Sequence, residues 1–197
     1  VMTARGLASP LREVRSWDLC AAHLPLGPRP VLRLQPSARL LIIGQAPGTK
    51  VHESGIPWND RSGDVLRGWL AMDRDTFYDE SRIGIMPMGF CYPGRDARGG
   101  GNPPRPECAP RWHDRLLGYL PELRLTLLVG QYAQARYLGA RRRPSLTETV
   151  QHYRDYLPGF LPLPHPSWRN TAWRNRHPWF DGEVVPELRR LVAAALD

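Results

Sequence analysis

Apolar residues gather in short unbroken runs, separated by longer stretches in which they recur at helical spacing. The run at 38–43, carrying Leu40-Leu41-Ile42-Ile43, suits a strand buried on both faces. Ile83-Gly84-Ile85-Met86-Pro87-Met88-Gly89 and Leu125-Thr126-Leu127-Leu128-Val129-Gly130 predict a second and a third strand, and residues 158–164 a short fourth. Leu11, Val14, Leu19 and Leu24 predict an N-terminal helix within residues 8–26, ended by Pro25, Pro28 and Pro30. Val65, Leu66, Trp69 and Leu70 share one helical face, behind a cap at Asp60 or Ser62. Further helices are predicted over 75–80, 108–120 and 133–138, and from Pro186 to Leu196.

Strand, loop and helix alternate along the chain. The pattern predicts an α/β fold: a three-layer α/β/α sandwich around a central four-stranded, mainly parallel sheet. Neither an internal repeat nor a second domain is visible, so residues 1–197 read as a single domain large enough to bury a core. Residues 93–107 are dominated by Gly, Pro and Arg around Gly99-Gly100-Gly101 and predict a long, flexible, basic loop.

Composition adds a charge of +8 and a pI near 10.0, with Lys50 the only lysine. Arginine-rich basic charge suits a polyanion partner such as nucleic acid, and equally suits plain solubility. No apolar run approaches the about 20 residues that a membrane helix needs. No secretory segment is visible, Val1-Met2 reads as one residue ahead of a native start, and a cytoplasmic monomer is the expectation.

Four segments carry the chemistry. Gly44-Gln45-Ala46-Pro47-Gly48 follows the first strand, and Gly55-Ile56-Pro57-Trp58-Asn59-Asp60-Arg61-Ser62-Gly63 leads into a helix. Val129-Gly130-Gln131-Tyr132-Ala133 leaves the third strand, and His165-Pro166-Ser167-Trp168-Arg169-Asn170 follows Leu163-Pro164. Each alone is an ordinary tight turn. In this order and spacing they resemble the uracil-DNA glycosylase superfamily over roughly residues 10–195, most nearly its family 4 type, whose first motif reads Gly-Glu-Ala-Pro-Gly.

The resemblance implies a four-stranded parallel sheet between helices. It also implies hydrolysis of the N-glycosidic bond of uracil in DNA, with no metal at the reacting centre. On that basis Trp58 takes the position of the aromatic platform for a flipped base, and His165 that of the histidine bonding uracil O2. Gly44, Pro47, Gly48 and Ser167 are expected at DNA phosphates, with Trp168, Arg169 and Asn170 entering the minor groove. The family's water-activating carboxylate is missing, because Gln45 and Ala46 occupy both positions where it is found. Asp60 is the favoured replacement over Glu53; it either orients the water or simply caps the next helix. Gln45 remains a candidate for holding water or touching the base beside Ala46. Pro87 or a neighbour stands where many members carry a base-reading Asn, so base selectivity is expected to rest on backbone groups and other side chains, with Asn59 one candidate.

Family 4 members bind an iron–sulfur cluster through four cysteines. Cys20, Cys91 and Cys108 match three of those positions, and Trp17 stands at the fourth, so the expectation is no cluster and no metal. The favoured reading is therefore a DNA repair glycosylase acting on uracil, and on other deaminated bases. The competing readings are a non-catalytic or abasic-site-binding protein of the same fold, and an unrelated α/β small-molecule hydrolase.

Overall fold

A computed structural model describes residues 6–197, so the Val1-Met2 opening lies outside the described residues. The chain runs α1 (Ala8–Ser16), β1 (Leu40–Ile43), α2 (Thr49–Ser54), α3 (Arg61–Leu70), α4 (Arg74–Phe77) and β2 (Ile83–Ile85). It continues through α5 (Cys108–Leu117), β3 (Leu125–Val129), α6 (Gln131–Leu138), α7 (Leu146–Gln151) and β4 (Phe160–Leu163), then α8 (Thr171–Arg176) and α9 (Val185–Leu196).

All four strands are parallel, in the order β2-β1-β3-β4. Alternation along β1 divides the core. Leu40 and Ile42 pack with Leu66 and Trp69 of α3 and Leu188 of α9. Leu41 and Ile43 pack with Val14 of α1, Trp112 of α5 and Ala133 of α6. Two helical layers therefore enclose one sheet, which is the predicted α/β/α sandwich. Among the described residues, no helix is long and apolar enough to cross a membrane.

The amino ends of the strands are pinned to the carboxyl end of α9. Arg39 and Arg82 donate to the Leu196 carbonyl, and Arg124 to that of Ala195. These guanidinium groups satisfy terminal helix carbonyls and complement the negative end of the helix dipole.

Two expectations are corrected. The N-terminal helix ends at Ser16, well short of residue 26, and a single 3₁₀ turn follows at Ala21–His23. Leu19, which extended the apolar spacing on paper, is 67% exposed. The Gly-rich loop is an ordered turn. Arg95 and Gly101 form an antiparallel bridge, and Asp96 Oδ1 accepts from the amides of Arg98 and Gly100, both at 2.8 Å. An Asp at the start of such a turn supplies the acceptor that glycines cannot.

Candidate functional site

The strand order reverses direction at β1, and the loops leaving the sheet part there to open a crevice at the carboxyl ends, where open α/β sheets bind ligands. The cleft has a volume of about 680 Å³. Its walls are the whole Gly44–Gly48 loop, Trp58 and Asp60 before α3, Pro87 after β2, and His165 with Ser167–Asn170 after β4. Asn59 is the exception among the expected site residues. It is not part of the lining, and its side-chain oxygen accepts from Arg74 at 2.9 Å.

Trp58 is held in an uncommon conformation. The Asn59 amide donates to the Ile56 carbonyl at 3.3 Å, closing a turn with Pro57 and Trp58 at its two central positions. Trp58 has φ +57°, the left-handed value a type II turn requires after proline. The turn lays the indole over Gly44, where a Cβ would come within 2.7 Å of the ring. The His165 imidazole lies across from it, 5.9 Å between ring centres and tilted by 37°.

Asp60 has two faces. Oδ1 accepts from the Gly63 amide at 2.8 Å and caps α3. Oδ2 points toward the Gly48 side of the cleft, 3.8 Å from where a Cβ on that glycine would lie. The cap and the cleft-facing carboxylate are thus one side chain, and the two expected roles do not compete.

Burial pushes the His165 imidazole below its usual range, and the Asp60 carboxylate only partly opposes this. The ring is therefore neutral at pH 7 and carries one N–H donor. Its backbone carbonyl is tied by the Asn170 side chain at 2.6 Å. Gly130, at φ +90°, passes beside the ring, where a Cβ would lie 3.7 Å from that of His165.

Sequence reasoning missed the contribution of the Gly-rich turn. Asp96 and Asn102 line the cleft, and the turn touches both motif loops. Gln45 Nε2 donates to the Asn102 carbonyl at 3.2 Å, and Arg169 Nη2 to the Arg98 carbonyl at 3.3 Å. The Asp96 carboxylate was the available signal, masked by surrounding glycines and arginines that read as flexible. Trp168 stands at the rim, 65% exposed, with the Arg169 guanidinium 5.4 Å from its ring centre.

A buried histidine supports the floor. His113 Nε2 lies 3.1 Å from the Pro87 carbonyl, which can only accept, so Nε2 carries the proton. Nδ1 then accepts from the Tyr137 hydroxyl at 2.7 Å. Burial lowers the imidazole from 6.5 to about 4. The unfolded chain binds this proton more readily, so stability is full above pH about 6.5 and falls as pH drops towards 4, by about 3 kcal/mol. Thermal melts should show this acid loss, and His113→Gln should flatten it.

The cysteines, three in number, are one thiolate short of a four-cysteine iron–sulfur site. Cys20 and Cys108 are buried and Cys91 is half-buried. Burial raises all three, Cys108 to about 12, as expected of neutral thiols packed among apolar side chains. Cys20 Sγ donates to Glu107 at 3.6 Å, and Arg105 grips that carboxylate through Nε and Nη2. Trp17, at the fourth position, packs edge-on against Trp112. Among the described residues, no three His, Cys, Asp or Glu side chains are grouped as metal ligands.

The chain can now be set beside known proteins. One solved structure similar to this chain is a solution structure from Methanosarcina acetivorans, whose provisional name is uracil DNA glycosylase. It is 18% identical, with 83% of this chain and 97% of that chain covered at a TM-score of 0.44. The family model described as the uracil DNA glycosylase superfamily matches residues 33–189. That span takes in every lining residue of the cleft except Val31, and the chain belongs to the uracil DNA glycosylase superfamily.

Proposed function

We propose that this protein removes uracil from DNA by hydrolysing the N-glycosidic bond and leaves an abasic site. The observation that carries this reading is the meeting of Trp58, Asp60 and His165 in one cleft, from segments far apart in sequence. A base inside a duplex is out of reach, so the nucleotide must turn out into the cleft. Trp58 offers its face to the extruded pyrimidine. As the bond breaks, negative charge develops on the base, and the neutral His165 donates to its carbonyl oxygen where that charge grows. The sugar becomes positive, and Asp60 Oδ2 offsets that charge and orients the attacking water. Gln45 Nε2 is engaged by Asn102, which leaves Oε1 as an acceptor for water or the base edge beside Ala46.

In this reading Gly44, Pro47, Gly48 and Ser167 meet backbone phosphates, and Trp168 and Arg169 fill the space the base vacates. We read residues 1–197 as one domain working as a monomer without a cluster, the three cysteines serving as packing thiols.

The test is release of uracil from single- and double-stranded oligonucleotides, read as alkali-labile sites. Asp60→Asn preserves the cap, because Asn is an equally good N-cap residue. We expect it to keep the melting temperature and to lower the cleavage rate by about 10²-fold or more. Full activity would reduce Asp60 to a cap. One observation favours a second reading, an abasic-site-binding protein: the Gly44–Gly48 loop holds no acid. Tight binding to abasic DNA with no turnover of uracil at stoichiometric protein would select it.

A further inference from the structure

Arg67 is buried, 5% exposed, although it lies outside the cleft lining. A buried guanidinium needs acceptors and a counter-charge. Its Nη2 meets Asp64 at 2.7 Å, and its Nη1 donates to the Trp58 carbonyl and to the Tyr78 hydroxyl, both at 3.2 Å. Tyr78 in turn donates to the Pro57 carbonyl at 2.7 Å. Two successive carbonyls of the turn are therefore pinned from one side. The guanidinium also rests against a pair of rings that meet edge-on, 5.2 Å from the Phe77 ring centre and 5.7 Å from that of Tyr78.

What is pinned is the left-handed Trp58. A non-glycine residue in that region costs about 1–3 kcal/mol and persists only where its surroundings impose it. The φ of +57° and the clearance at Gly44 tie backbone and indole together, so releasing the carbonyl frees the ring. We infer that Arg67 is a positioning residue which, with Tyr78, locks the Trp58 turn and so holds the aromatic platform at the angle that receives the extruded base. The inference rests on reading Trp58 as that platform.

The experiment uses the full chain with 5-fluorotryptophan in place of its seven tryptophans, the Trp58 line being assigned by Trp58→Phe. Arg67→Met should shift or split the Trp58 fluorine resonance while leaving those of Trp17 and Trp112, on the other face of the sheet, in place. It should lower kcat/KM for uracil release by about 10- to 100-fold, the order expected for a displaced substrate-orienting group. Affinity for undamaged DNA should not change. Arg67→Lys should recover part of the loss. Tyr78→Phe is the milder variant if Arg67→Met does not fold, and should shift the same resonance by less.

In a Trp58→Ala background Arg67→Met should have no further effect on kcat/KM, a non-additivity that general destabilisation does not produce. An unmoved Trp58 resonance in folded Arg67→Met or Tyr78→Phe protein overturns the inference, as do independent, multiplicative effects of the two substitutions. Absence of uracil release by the wild-type protein defeats the proposed function alone, and the fluorine spectra still decide what positions Trp58.

Discussion

His165→Ala should lower single-turnover uracil release by about 10²–10³-fold, the range seen when one preorganised donor is taken from a developing anion. The imidazole faces Trp58 across the cleft, and its backbone is fixed independently by Asn170, so the variant loses the donor and keeps the loop. Binding to abasic DNA should change little, because the base that His165 would hold has already gone. Burial keeps the ring neutral, so the donor is present at neutral and alkaline pH and is converted to the cation only in acid. Rates within about tenfold of wild type would place stabilisation of the leaving base elsewhere, since even one general-acid contact is worth more.

Gly63→Ala should be the most damaging single-methyl change in the site. A Cβ at residue 63 would lie 1.7 Å from the Trp58 carbonyl oxygen and 2.6 Å from its carbon. Both obstacles are backbone, so no rotamer relieves the clash. The first turn of α3 and the Trp58 turn must separate, which breaks the Gly63–Asp60 cap and moves platform and carboxylate together. We expect a loss of about 3 kcal/mol or more. That corresponds to a fall of about 10 °C in melting temperature, with uracil release reduced further than stability alone accounts for. Gly68→Ala is the control, since nothing lies within 4 Å of its Cβ. In the last turn of α3 it should stabilise by up to about 0.5–1 kcal/mol. Equal behaviour of the two variants would show that the turn yields to α3.

The sheet was legible because parallel strands buried on both faces leave runs such as Leu40–Ile43 that no amphipathic helix produces. The site loops were legible because Gly and Pro mark where those strands stop. The short helices were not. In α2 only Val51 is buried, and in α8 no residue is, so neither has an apolar stripe. The turn at 94–102 was misread because composition speaks of chain entropy, whereas one carboxylate, Asp96, settles the local hydrogen bonding. Asn59 was drawn off by Arg74, a partner 15 residues away. Arg67 was invisible for a related reason: a polar residue on a helix reads as solvent-facing unless its partners, here the Trp58 carbonyl and the Tyr78 ring, are known.

The arginines that pin α9 change what the overall charge means. Arg39, Arg82 and Arg124 sit just before β1, β2 and β3, at the pole opposite the cleft. A strand of four or five residues separates the poles by about 13–16 Å. That exceeds the about 8 Å over which exposed charges act at physiological ionic strength. These three of the chain's 27 basic side chains therefore add to its +8 without drawing a polyanion to the cleft, and the overall charge overstates the pull felt there.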